Sequence, residues 1–133
     1  MKSATLLFII LLSSASLFAQ NKNSERIIKK FMVQFNEKKF EDIYNSLSPG
    51  YQQKVSNKAM QTYLNQIYGM AGKFKSAKFK TLTDVTYSYF LVAKSEDVTA
   101  DFQFIIDKDN KIDYLNFKAV GGNGNPPPSV KFK

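Results

Sequence analysis

The chain holds no histidine and no cysteine, so any chemistry it performs must come from carboxylates, hydroxyls and amines. Asp107, Asp109 and Asp113 crowd the stretch "IIDKDNKID" (Ile105 to Asp113), which begins like a calcium loop. A loop of the EF-hand kind needs glycine at its sixth position and glutamate at its twelfth. Counted from Asp107, those positions hold Ile112 and Lys118, and the flanking segments read as strands where helices are required. As a hairpin, the stretch makes sense residue by residue. Asp107 can cap the turn, and Asn110 tolerates the left-handed conformation that a type I turn plus bulge requires. A turn with no metal is expected.

Other chemistry is sparse. The usual nucleophile–base pairs for acyl transfer and the nitrogen or sulfur ligands of zinc are missing, and no cofactor is implied. "GMAGK" at Gly69 to Lys73 lacks the spacing of a P-loop and ends a helix where that motif must begin one. Glu41–Asp42 and Glu96–Asp97 are sequence neighbours, which do not face each other on a helix or a strand. Asp84 and Asp101 are the carboxylates expected to touch a sheet face. Beside a tyrosine, either could act as a general base with a phenolic oxyanion donor; a solvent-facing strand aspartate is the plainer reading. No catalytic set is assigned, and a non-catalytic role is favoured.

The elements that would position these residues follow from periodicity. "NSERIIKKFMVQFNEKK" sets Ile27, Ile28, Phe31, Met32 and Phe35 on one helical stripe, with lysines opposite. A short helix is expected in "FEDIYNSL", with Phe40, Ile43, Tyr44 and Leu47 on one side, broken by "SPG" at Ser48 to Gly50. A third helix runs from Ser56 as N-cap to a stop at Gly72, with Met60, Tyr63, Leu64, Ile67 and Ala71 inward. From Lys73 the period becomes 2. In "KFKSAKFKTL" Phe74 and Phe79 are out of phase, so either both faces are partly covered or a bulge near Ser76 resets the strand. The interleaved lysines suit an exposed strand protected against pairing with other chains. Val85, Tyr87, Tyr89 and Leu91 alternate in the second strand. In the third, Val98, Ala100, Phe102, Phe104 and Ile106 share a core face, while Thr99, Asp101 and Gln103 face solvent. Leu115, Phe117 and Ala119 are in phase in the fourth. The expected fold is α+β: N-terminal helices packed on a curved antiparallel sheet of about four strands.

The ends bound the compartment. "MKSATLLFIILLSSASLFAQ" has a cationic start, an apolar run and small residues before Ala19, the layout of a signal peptide. Cleavage after Ala19 is expected, with Ala15 as the alternative. The expected division is a signal peptide at 1–19, one domain at 20–120, and a flexible Gly/Pro-rich tail at 121–133. A cysteine-free chain cannot be lipidated on cysteine, so a periplasmic or secreted protein that is not a lipoprotein, with no stable membrane anchor, is expected. Residues 20–80 carry 12 Lys or Arg against 4 Asp or Glu, a balance of +8. Export argues against nucleic acid as the partner of this basic half, and a solvated lysine-rich surface is the simplest account.

Three stretches carry a resemblance: "FNEKKFEDIYNSLSPGYQQKVS" from Phe35, "YLNQIYGMAGKFKSAKF" from Tyr63, and "DKDNKIDYLNFKAV" from Asp107. Together they resemble the bacterial domain of unknown function 3887, over roughly Arg26 to Val120. The helix–helix–helix–sheet order is similar to the cone fold of nuclear transport factor 2 and ketosteroid isomerase. The resemblance implies an exported small domain without an agreed catalytic function, and it admits a homodimer through the sheet. In that fold the concave sheet face lines a pocket, and Tyr44, Tyr63, Tyr87, Phe102 and Phe104 would be its aromatic lining. Three functions follow. The first is a binding or accessory domain holding a small apolar ligand in the concave face. The second is a protein–protein interaction module with a filled core, docking on an exported partner. The third is a small isomerase or hydratase using Asp84 or Asp101 as base.

Overall fold

The computed structural model describes residues 22–95 and 98–119. The signal-peptide segment 1–19, the Glu96–Asp97 pair and the tail 121–133 lie outside the described residues. Helix α1 takes in residues 22–36 and buries Ile28, Phe31 and Phe35, with Ile27 and Met32 packed partly against the same core. Lys38 then turns left-handed (φ 57°). The Lys39 N–H reaches the Gln34 carbonyl at 2.8 Å and the Lys38 N–H reaches that of Phe35 at 3.0 Å, the paired bonds of a Schellman stop.

Helix α2 is Phe40–Asn45. "SPG" does end it, as expected, but it also starts a further helix that the sequence reading lacks, α3 at Pro49–Lys54. Proline needs no N–H at the first helical position, and the Ser48 hydroxyl accepts from the Tyr51 N–H at 3.0 Å. Helix α4, Asn57–Ala71, has the expected Ser56 cap and buries its whole expected stripe. It stops at Gly72, whose φ of 65° favours a residue without a Cβ.

Strands β1 (Phe74–Thr83), β2 (Thr86–Ala93), β3 (Thr99–Ile106) and β4 (Ile112–Ala119) form one curved antiparallel sheet in the order β1-β2-β3-β4. Fold class α+β is therefore observed. The register of β1 against β2 breaks between Phe74 and Ser76 and again between Phe79 and Thr81. The first break is the bulge near Ser76, and it brings Phe74 and Phe79 onto the same face. Phe74 is buried, whereas Phe79 is 41% exposed and meets the Tyr89 ring edge-on at 5.5 Å.

Two expectations for the sheet are corrected. Asp84 and Val85 form the turn between β1 and β2, with Asp84 left-handed (φ 53°) and Val85 63% exposed; neither belongs to a sheet face. Asp101 does sit on the outer face, opposite Phe102 in the alternation, yet it is buried rather than solvent-facing.

Helices and sheet meet in one core. Phe31 stacks on Phe102 at 4.7 Å, and Phe102 on Phe117 at 4.5 Å, pairs worth about 0.5–1.5 kcal/mol each beyond their area. Polar clamps tie the layers together. The Asn36 side chain donates to the Phe74 carbonyl at 2.8 Å and accepts from the Phe74 N–H at 2.9 Å. The Tyr63 hydroxyl accepts from the Phe117 N–H at 3.1 Å.

Candidate functional site: a cationic groove beside the hairpin

The "DKDNK" turn is built as its residues dictate. The Asp107 carboxylate accepts from the N–H groups of Asp109 and Lys111, each at 2.9 Å. Asn110 is left-handed at φ 60°, and its N–H returns to the Asp107 carbonyl at 3.1 Å. With its carboxylate committed to the turn, Asp107 holds the hairpin tip in one shape. Among the described residues no group of three or more Asp, Glu, His or Cys gathers as a metal could use.

The base of this hairpin is fixed to the α2–α3 junction. Leu47 and Ile112 form an isolated parallel bridge, the Ser48 N–H donates to the Ile112 carbonyl at 2.8 Å, and the Ser48 hydroxyl donates to the Asp113 carboxylate. Helix α1 runs alongside. Between α1, the junction and the hairpin lies a groove of about 310 Å³, half open to solvent. Ile27, Phe31 and Ile112 form its apolar floor, and Arg26, Lys30 and Lys111 bring three cations to it against one carboxylate, Asp109. The Arg26 guanidinium donates to the Asn23 side-chain carbonyl, and the Asn23 amide donates to the Asn110 side chain. This chain of amides links α1 to the hairpin tip and holds Arg26 at the groove. Among the described residues no carboxylate pairs with Arg26, Lys30 or Lys111.

The residues singled out from the sequence lie elsewhere. Tyr63, Tyr87, Phe102 and Phe104 are buried in the core, with Phe102 and Phe104 stacked at 5.1 Å and Tyr87 on Phe104 at 5.5 Å. Tyr44 is half-buried, and its hydroxyl donates to the carbonyls of Val55 (3.1 Å) and Gln52 (3.3 Å) at the end of α3. None of the five lines the groove. Asp84 is in the β1–β2 turn. One oxygen of Asp101, Oδ2, accepts from Lys80 Nζ at 2.8 Å, while Oδ1 is buried without a partner; no tyrosine hydroxyl reaches this carboxylate. Burial raises the pKa of Tyr51, Tyr63, Tyr87 and Tyr89, in the case of Tyr51 to about 12.

The groove was not foreseen. Its residues come from three separated segments, and Arg26 and Lys30, four apart on α1, read as part of a solvated lysine face. The available signal was that i,i+4 cation pair bordering the apolar stripe.

A family model described as "Protein of unknown function (DUF3887)" matches residues 29–115, well over half of the chain. No curated protein and no solved structure matches it.

Proposed function

The chain belongs to the DUF3887 family, and from that premise we propose that it is an exported, non-catalytic binding domain of the nuclear-transport-factor-2-like cone architecture, acting at its surface rather than in an interior chamber. One observation carries the choice of surface over interior. Tyr63, Phe102 and Phe104, which would line a concave pocket, are at most 2% exposed and pack ring against ring or on the backbone. A filled cone favours contact with another exported protein or with a small ligand at the rim.

Export rests on the N-terminal sequence, and no helix among the described residues is long and apolar enough to cross a membrane. The cone placement is supported by four helices on one face of a curved four-stranded sheet. The basic balance of residues 20–80 suits an acidic partner.

Native mass spectrometry of the protein recovered from the exported fraction tests this. The expected species is the chain from Gln20 onward with no apolar molecule attached. Retention of an apolar compound of defined mass would show that the interior is a chamber and overturn the surface reading. An uncleaved chain confined to membranes would overturn export.

A further inference from the structure

We propose that the groove between α1 and the β3–β4 hairpin binds a small organic acid, whose carboxylate or phosphate head is held by Arg26, Lys30 and Lys111 and whose short apolar body lies on Ile27, Phe31 and Ile112. This rests on the reading of a surface-binding domain and gives it a ligand class.

The chemistry is set by what the groove offers. Three cationic residues line the groove against one carboxylate residue, Asp109, and none of the three has an acidic partner among the described residues. Ion pairs are few among the described residues, Lys39 with Glu37 at 2.6 Å and Lys80 with Asp101 at 2.8 Å, so what sets the groove apart is that three cationic residues border one apolar floor. Arginine presents a planar fork that matches a carboxylate or phosphate with two parallel bonds. Only one donor of Arg26 is directed elsewhere, to the Asn23 carbonyl. That bond, relayed to Asn110, orients the guanidinium in advance, which reduces the ordering cost of binding.

The floor decides against a bare inorganic anion. Phe31 and Ile112 back the groove as core residues only 2% and 3% exposed, and half-buried Ile27 supplies open apolar surface beside them. A volume of about 310 Å³ is at the lower end of the range for small-molecule sites, roughly 300–1,000 Å³. An apolar body of a few carbons fills it.

The test is NMR titration of the ¹⁵N-labelled mature chain with four probes: hexanoate, hexyl phosphate, 1-hexanol and inorganic phosphate. Hexanoate or hexyl phosphate should shift the amides of Arg26, Lys30, Asn110 and Lys111, saturably and more weakly as salt is raised. Whichever of the two binds more tightly identifies the head group. Lys30→Gln should weaken binding about threefold to tenfold, within the span of half-exposed to charge-assisted pairs. Lys30 makes no side-chain hydrogen bond or ion pair among the described residues, and far-UV circular dichroism of this variant should match the parent.

Three results would overturn the proposal: no groove shifts with either acid, 1-hexanol or inorganic phosphate binding as tightly as the acids, or shifts spread equally over the lysines of β1. Failure here would leave a surface-binding domain standing, whereas an interior apolar ligand found by native mass spectrometry would remove that reading without changing this titration.

Discussion

Replacing Lys80 with methionine should destabilise the protein by about 2 kcal/mol, a value that follows from how β1 delivers this side chain. Lys80 is the residue left out of register between Phe79 and Thr81. Its stem crosses the Phe90 ring, with Nζ 4.8 Å from the ring centre, and its ammonium reaches Asp101 Oδ2 on β3 at 2.8 Å. The Asp101 side chain is only 7% exposed, while that of Lys80 is 40% exposed. Breaking a fully buried pair by removing one partner costs roughly 3–5 kcal/mol, and an exposed pair is worth roughly 0.2–1 kcal/mol. A buried anion held by a half-exposed cation falls between these limits. Methionine keeps the stem over Phe90 and removes only the charge, leaving a carboxylate whose Oδ1 already lacks a partner. Urea denaturation should show the loss as a lower midpoint at unchanged slope, and Tm should fall by roughly 8 °C. The double variant Lys80→Met/Asp101→Leu should be more stable than Lys80→Met alone, because no stranded charge remains. If Lys80→Met costs less than about 0.5 kcal/mol, or if the double variant is the less stable of the two, the ion pair is not what secures β1 and the reasoning fails.

Two other outcomes follow from the layer contacts. Asn36→Ala leaves the N–H and carbonyl of Phe74 without the partners they have at 2.9 and 2.8 Å, so it should cost about 1–3 kcal/mol in urea denaturation; Asn36→Asp, which can still accept but cannot donate, should not restore the parent midpoint. The Tyr51 hydroxyl, raised from its ordinary value to about 12 chiefly by burial, contributes stability that is complete below about pH 10 and is lost as pH rises through 12, so denaturation between pH 10 and 12 should show falling stability, with a shallower fall in Tyr51→Phe.

How much of this was legible in the sequence depended on whether a residue's role was local. The α4 stripe and its Ser56 cap, the burial of Ala100, Phe102 and Phe104 along β3, and the turn chemistry of Asp107 and Asn110 are each set by neighbours within a few positions, and all are found as read. "SPG" was half legible: proline and glycine mark a break, and the same serine and proline also satisfy the start of a helix. Asp101 and the groove were not legible. The burial of Asp101 depends on a lysine 21 positions earlier, aimed at it by a bulge, and the groove exists only because Leu47 bridges Ile112 across nearly half the chain. An aromatic position on a strand, likewise, reads the same whether it lines a chamber or fills a core.

That last ambiguity has an energetic resolution. A cysteine-free domain of about 100 residues has no disulfide to offset an empty interior, and its net stability is about 5–15 kcal/mol. Cavities left in apolar cores cost about 24 cal/mol per Å³, so enclosing a dry chamber as large as the 310 Å³ groove would cost about 7 kcal/mol on that scale, of the order of the whole net stability. The rings of Phe31, Phe102 and Phe117 stack at 4.5–4.7 Å where helix α1 meets strands β3 and β4. At the rim, the same volume is open to water in the absence of ligand, and its walls are held by the Leu47–Ile112 bridge and the Asp107 turn rather than by what it contains. For this chain, a binding site at the edge of the sheet is compatible with a core that must support the fold alone.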